Sequence, residues 1–477
     1  MNMRHIKHVY FVGIKGVAMT ALALYFHGKG IRVSGSDVKE GFPTDDMLSK
    51  HKIQVLEGFT SSNINSSDNI DLLIYTGAHD GKNNPEVIRA LELGIPFLPH
   101  GKALGLCMDS TKQISVAGSH GKTTTSAMIA TVLSHAGKNP SYAIGCGEIF
   151  PLGSPGAYGK GEWFVAEADE YATDPKYDKT PRFLFQHPDI FAVTNIDYDH
   201  PDVYSDISAI QAAFVSMKAN FRGLSIIVLN ADDPNSSCLQ TDPKGKIITY
   251  GSSKGSDFRI LKTSFSEGKT ECLYSDPDGV KRLFQLNIPG DHNVSNALCA
   301  IAALRLTGLS FDEIHDGLQS FRGSKRRFEQ IGSNAHALFY DDYAHHPKEI
   351  AATLLGIRQW YPDRKIYCIF QPHTYSRTKA LLEEFSTSFG DADTLVLVDI
   401  YASARESENE EMTGEILASE CRKNHADVNF VHNEKGVDAF LQSKPFEKAV
   451  VVFMGAGDIY LWGKRIADSF STKGKRT

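Results

Sequence analysis

A short glycine-rich turn, Gly118-Ser119-His120-Gly121-Lys122-Thr123-Thr124, lies between an apolar run and a helical pattern. Backbone N–H groups of such a turn, together with the helix N-terminus, cradle phosphate oxygens. Lys122 then reaches a transferable phosphate, and the Thr123 hydroxyl is placed to ligate Mg²⁺. In this reading the lysine supplies charge and not packing. The loop is two residues shorter than GxxxxGK[ST], so it is a variant of that motif. A plain glycine turn with an exposed lysine is the bland alternative, and the flanking strand and helix argue against it. Glu167 in VAEADE and His200 in NIDYDH each close an apolar run in the same block. A carboxylate and an imidazole there suit Mg²⁺, held directly or through water. Asp169, Glu170, Asp197 and Asp199 crowd the same places, and pattern alone does not choose among them.

Other candidates lie on either side. Gly13 opens VGIKGVAM, and Ser36-Asp37 closes a second strand-like run, which resembles the dinucleotide fingerprint with its ribose-binding acid. Lys15 and Ala18 stand where the second and third glycines belong. A different nucleotide, or tight helix packing at Gly13 and Gly16, fits as well as NAD. His292, Asn293 and Asn296 precede or open a helix and either cap it or face a ligand. Lys325, Arg326 and Arg327 suit a phosphate or a basic surface turn. His345 and His346 invite zinc, but neither paired cysteines nor HExxH spacing supports it. Arg377 follows a strand and is placed to fork onto a carboxylate.

The elements that must position these groups follow from hydrophobic periodicity. Strand–helix repeats run through HVYFVG, VAMTALALYFHGKG, IRVSGSD and DLLIYTG, and resume at QISVAGSHGKTTTSAMIATVLSHAG. That grammar is α/β with parallel sheets, whose ligands sit beyond the carboxyl ends of the strands. Residues 257–290 alternate over short spans with turns at Ser266–Gly268 and Asp276–Gly279, which reads as hairpins. The α/β pattern returns near Gly323. Three domains are expected: 1–110, 111–322 and 323–477.

Bulk properties bound the function. The chain has 477 residues, 42% hydrophobic and 22% charged, and a formal charge of -7. No global field draws it to nucleic acid or anionic membrane. Seven scattered cysteines without a CxxC pair suit a reduced compartment. The apolar stretch Val17–Phe26 is about half the roughly 20 residues that span a bilayer. A cytoplasmic protein is expected, and the basic tail Lys473–Arg476 reads as a frayed end.

Taken together, GSHGKTT, AEAD, NIDYDHPD, NADDP, GDHNVSNA, KRRFE, DDYAHHP, FQPHTYSRT and MGAGDI resemble the Mur ligase family in order and spacing, along almost the whole chain. The resemblance implies a Rossmann-like, UDP-sugar-binding N-terminal domain, a P-loop ATPase central domain and a Rossmann-like C-terminal amino-acid domain. It implies that Lys122, Thr123, Glu167 and His200 serve ATP and Mg²⁺, with Gly118 to Thr124 around the phosphates. His292, Asn293 and Asn296 would lie near the adenine, and Arg327 and Asp342 would reach ATP. Gly13, Ser36 and Asp37 fall on the acceptor side, and Tyr343, His345 and Arg377 around the incoming amino acid. The likeness is strongest to members that join L-alanine to the lactyl carboxylate of UDP-N-acetylmuramate through an acyl phosphate. Lys15, Ala18 and the long stretch 171–185 look instead like members that attach a recycled tripeptide. A nicotinamide oxidoreductase leaves the Gly118 loop unexplained, and a noncatalytic nucleotide-binding regulator has no need of His200 or Arg327.

Overall fold

The computed structural model describes residues 5–198, 203–240, 246–402 and 411–473. The first apolar runs form β1 (His8–Val12), β2 (Arg32–Asp37), β3 (Gln54–Glu57), β4 (Leu72–Tyr75) and β5 (Phe97–Pro99). They pair in the order β3-β2-β1-β4-β5, every neighbouring pair parallel. The order reverses between β1 and β4, and the Gly13 turn leaves β1 at that switch point, where open parallel sheets bind ligands.

The second sheet has ten strands, ordered β17-β16-β15-β14-β13-β12-β6-β9-β7-β8. Its centre is β6 (Lys112–Ala117), β9 (Trp163–Ala168), β12 (Ile190–Val193) and β13 (Ile226–Asn230). These are mutually parallel and almost wholly buried, as continuous apolar runs between helical layers must be. On one side stand β7 (Ser141–Ala143) and β8 (Gly156–Ala157), and on the other β14 (Lys246–Gly251). The hairpin region is β15 (Phe258–Ser266), β16 (Lys269–Ser275) and β17 (Lys281–Leu286), consecutive strands that are neighbours at the sheet's end. Between β9 and β12 the stretch 171–185 forms a separate two-stranded hairpin, β10 (Ala172–Asp174) with β11 (Asp178–Pro181), then a turn of 3₁₀ helix.

The chain divides into two compact units, and the first holds Met1–Thr263, Glu271–Leu286 and Asn293–Arg322. Its apolar core runs across residue 110. Helix Val17–Gly28 buries Met19 to Phe26 and sets Tyr25 against Phe164 of β9, ring centroids 5.2 Å apart. A Cβ at Gly156 would strike the Ala21 carbonyl, so only glycine admits this approach. The hairpin β10–β11 closes a second contact with the β4–β5 connection. Asp174 accepts the Lys82 N–H at 3.1 Å, Lys176 pairs with Asp80 at 2.7 Å, and the Lys82 ammonium lies over the Tyr177 ring.

The second unit holds Ser264–Thr270, Asn287–His292 and Gly323–Thr477. Its sheet is β18-β19-β23-β20-β21-β22, built from β18 (Glu329–Ser333), β19 (Ala337–Asp342), β20 (Lys365–Phe370), β21 (Thr394–Leu397), β22 (Val428–Phe430) and β23 (Ala449–Met454). All pairs are parallel except β18 with β19. Separate apolar clusters cover its two faces, one around Ile350, Leu354 and Ile357, the other around Ile459 and Ile466. All seven cysteines are free and six are buried. No described helix is long and apolar enough to cross a membrane. Most of the basic tail, residues 474–477, lies outside the described residues.

Candidate active site

The phosphate loop leaves β6 at Gly118 and enters helix Lys122–His135. Nine consecutive helix residues, Thr125 to Leu133, are buried, so the helix is an internal element and gives the loop a rigid base. Gly118 has φ +135 and Gly121 has φ +83, and a Cβ would strike Thr194 Oγ1 at the first and Asn296 Oδ1 at the second. Both glycines are therefore required by conformation and by space. The chain after β12 brackets the turn. Asn195 Oδ1 accepts the His120 N–H at 2.9 Å, Thr194 Oγ1 donates to the His120 carbonyl at 2.6 Å, and Ser119 Oγ accepts the Asp197 N–H at 2.8 Å. Asn296, one helical turn past Asn293, supports the Gly121 corner and donates to Asn293 Oδ1 at 3.3 Å. These two asparagines are buried inside helix Asp291–Arg305 and are not its caps.

Lys122 is not a solvent-facing charge. Its Nζ donates to the Gly118 carbonyl at 2.5 Å and to both Glu170 oxygens at 3.1 and 3.0 Å, with side-chain exposures of 13% and 1%. Burial alone would lower the Lys122 pKa, but the carboxylates of Glu170, Asp169 and Glu167 outweigh it and hold it above the usual lysine range. Glu167, at the end of β9, accepts the Gly145 N–H at 2.7 Å and a hydrogen bond from the Thr123 side chain. Burial pushes its carboxyl up, and Asp169 adds to this against the pull of Lys122. Thr123 and Glu167, distant in sequence, are thus brought together as two hard oxygen donors beside the phosphate loop. That set fits Mg²⁺, which takes one or two protein oxygens and completes its shell with water and phosphate. His200, expected here, lies outside the described residues, as does Asp199.

At the first sheet's switch point the Gly13 N–H donates to the Ser36 carbonyl at 2.9 Å. Ser36 and Asp37 both face inward. Ser36 Oγ donates to buried Glu86, while Asp37 accepts the Lys15 N–H at 2.7 Å and the Val38 N–H at 2.8 Å and is 1% exposed. His79 Nε2 stands 3.9 Å from Asp37. Lys15 folds over the turn, donating to the Val38 and Glu40 carbonyls at 3.0 and 2.9 Å. Asp37 thus organises the turn through its carboxylate, and Lys15 ties down the 38–45 loop beside it.

The second unit gathers its own cluster at the carboxyl end of β19. Asp342 accepts the Phe328 N–H at 2.8 Å and the Ala344 N–H at 2.9 Å, which fixes the segment bearing Tyr343 and His345. The Arg326 and Arg327 guanidinium groups lie 5.1 and 5.2 Å from the Tyr343 ring centre. His345 stacks edge-on to Tyr343 at 5.1 Å and lies 3.6 Å from Glu349, which is 3.8 Å from Arg327. His373 continues the array toward Tyr401, their rings stacked 5.9 Å apart. Arg377 is half-buried on helix Tyr375–Ala380, four residues beyond His373. Of the basic cluster, Arg326 turns inward onto Asp341 and the Gly455 carbonyl. His346 caps helix Pro347–Trp360, its ring accepting the Lys348 N–H. His292 is exposed at the start of its helix, over Gly290. Glu349, His373 and Tyr401 join this cluster without having stood out in the sequence, although His373 lies three residues past the end of β20 within a quoted motif.

Three family descriptions match the chain in succession: the Mur ligase family catalytic domain over residues 8–112, the Mur ligase middle domain over 116–304, and the Mur ligase glutamate ligase domain over 326–457. The protein belongs to the Mur ligase family. A UDP-N-acetylmuramate--L-alanine ligase of Desulfitobacterium hafniense is 37% identical over 461 residues, 96% of this chain and 99% of that relative. One from Acetivibrio thermocellus is 38% identical over 463 residues, 96% and 95% of the two chains. Among solved structures, a UDP-N-acetylmuramate-alanine ligase of Thermotoga maritima superposes with a TM-score of 0.81 at 26% identity, covering 98% of this chain and 99% of that one. A murein peptide ligase of Psychrobacter arcticus shares the fold, with a TM-score of 0.72 at 24% identity over 98% and 99% of the two chains.

Proposed function

We propose that this protein joins L-alanine to the lactyl carboxylate of UDP-N-acetylmuramate, converting ATP to ADP and phosphate, as a step in building peptidoglycan precursors. The observation that carries the reading is the full-length match, 37% identical over 96% of the chain, to a relative named for that reaction. The chemistry suits the site. A carboxylate is a poor electrophile for an amine, so one of its oxygens first attacks the γ-phosphorus of ATP and ADP leaves. The amine nitrogen then attacks the acyl carbon, phosphate leaves, and the nitrogen loses a proton.

The chain's own residues carry binding and orientation. The backbone of Gly118 to Thr124 cradles the phosphates, and Lys122 offsets charge that develops during transfer. Thr123 and Glu167, with His200 as a further donor, would hold Mg²⁺, which supplies charge neutralisation between phosphate oxygens. Asn293 and Asn296 keep the loop's corner in place and, with His292, are assigned to the adenine side. Arg327 and Asp342 are assigned to ATP. The Gly13 turn, with Ser36 and Asp37 behind it, is assigned to the UDP-sugar. Tyr343, His345 and Arg377 are assigned to the amino acid, whose lone carboxylate suits a guanidinium fork. ATP and UDP-sugars are cytoplasmic metabolites, so the reaction belongs there. The functional division into 1–110, 111–322 and 323–477 follows the three assignments.

The test is a competition. Protein, ATP, Mg²⁺ and UDP-N-acetylmuramate are mixed with equal L-alanine and L-Ala-γ-D-Glu-meso-diaminopimelate, and the products are weighed by mass spectrometry. The alanyl product should dominate. A dominant tripeptide product would reassign the amine, and no amide with either amine would favour a noncatalytic nucleotide-binding regulator.

A further inference from the structure

We propose that Glu170 is a positioning residue that holds Lys122 at the phosphate loop, so that an arriving nucleotide must take the lysine from a carboxylate. The inference rests on the nucleotide-binding reading above. Both Glu170 oxygens lie within 3.1 Å of Lys122 Nζ, and the carboxylate is 1% exposed, so water does not compete for the carboxylate. Glu170 is anchored independently of the lysine. The Tyr204 hydroxyl donates to its main-chain carbonyl at 2.6 Å, and beside it Asp169 is paired with Arg182 at 3.0 Å.

The two acids of the VAEADE segment divide the work. Glu167 meets the Thr123 hydroxyl, and Glu170 meets the Lys122 ammonium. The first pairing belongs to the cation site. The second places a like charge next to the incoming phosphates and occupies the group that should bind them. Nucleotide binding is then an exchange: Lys122 gives up Glu170 for phosphate oxygen, and the carboxylate recovers the lysine when product leaves. The pair keeps the lysine poised and weakens nucleotide affinity at the same time.

The prediction concerns ADP, titrated by calorimetry into the full chain with EDTA present and again with Mg²⁺. Glu170→Gln should tighten metal-free ADP roughly tenfold, the low end of what close charge pairs couple. In a Lys122→Met background the same change should tighten ADP much less, by relief of charge repulsion alone, because the exchange has been removed. Glu170→Asp, which keeps the charge but shortens the reach, should fall between wild type and Glu170→Gln. Equal tightening with and without Lys122 would reduce the effect to simple repulsion and overturn the proposal. Weaker ADP binding only when Mg²⁺ is present would make Glu170 a metal ligand and also overturn it. ADP binding by wild type that Glu170→Gln leaves unchanged sinks this inference alone. Absence of ADP binding by wild type sinks the nucleotide reading and this inference with it.

Discussion

Replacing Lys122 by alanine should damage stability as well as turnover. On sequence grounds the lysine is needed for charge and not for packing, so its loss leaves the fold intact. The structure instead pairs it, 13% exposed, with a Glu170 that is 1% exposed. Truncating one member of a buried pair strands the other charge and costs about 3–5 kcal/mol. Taking about 3 kcal/mol, because the lysine is not fully enclosed, the melting temperature should fall by roughly 4–5 °C for a unit of about 300 residues. Turnover should fall by about 10²–10³, as for other electrostatic stabilisers of a transition state. Lys122→Met combined with Glu170→Gln removes both charges, so it should recover most of the lost stability and remain inactive. Differential scanning fluorimetry and a phosphate-release assay on the three proteins read both effects. A Lys122→Ala protein melting within about 2 °C of wild type would refute the buried pair, given the cost expected for breaking one. A double variant as unstable as Lys122→Ala would refute the charge-based explanation.

Three further outcomes are expected. Gly121→Ala forces a side chain into a backbone at φ +83 and against Asn296; the left-handed conformation alone costs about 1–2 kcal/mol, so calorimetry should show ADP affinity falling about tenfold or more, and unchanged affinity would count against the loop as the phosphate site. EDTA should abolish activity, Mg²⁺ and not Zn²⁺ should restore it, and Glu167→Gln should raise the Mg²⁺ concentration needed for half-maximal rate; an unchanged Mg²⁺ titration would remove Glu167 from the cation site. Burial pushes the Asp341 carboxyl up to about 7 despite Arg326, well above its unfolded value, so the folded state binds the extra proton. Its stabilising contribution is present below about pH 4 and lost as pH rises through about 7; the melting temperature of Asp341→Asn relative to wild type should therefore increase from pH 5 to pH 8, and a constant offset would contradict the assignment.

What was legible in the sequence was local. A strand, a turn that needs positive φ at Gly118 and Gly121, and a helix buried all round are encoded within about 20 residues, and the phosphate loop was readable on that basis. The parallel α/β grammar was readable for the same reason. The hidden features depend on residues far apart in the chain. Lys122 and Glu170 are 48 positions apart, and only the β6–β9 pairing brings their ends together. Asp37 reads as a ribose acceptor by its place at the end of β2, and the structure adds that its oxygens also accept the Lys15 and Val38 N–H groups, one from another segment. The core that crosses residue 110 arises because the Tyr25 helix packs on Phe164, a contact no period predicts. Tyr401 meets His373 through a bridge between segments that follow neighbouring strands.

If the acceptor carboxylate is activated as an acyl phosphate, one of its oxygens must leave with the phosphate, and isotope labelling follows that oxygen. UDP-N-acetylmuramate labelled with ¹⁸O in the lactyl carboxylate is converted with ATP, Mg²⁺ and L-alanine, and the released phosphate is weighed. One ¹⁸O atom per phosphate and one retained in the amide are expected. Phosphate free of ¹⁸O, with the alanyl product still formed, would contradict acyl-phosphate activation.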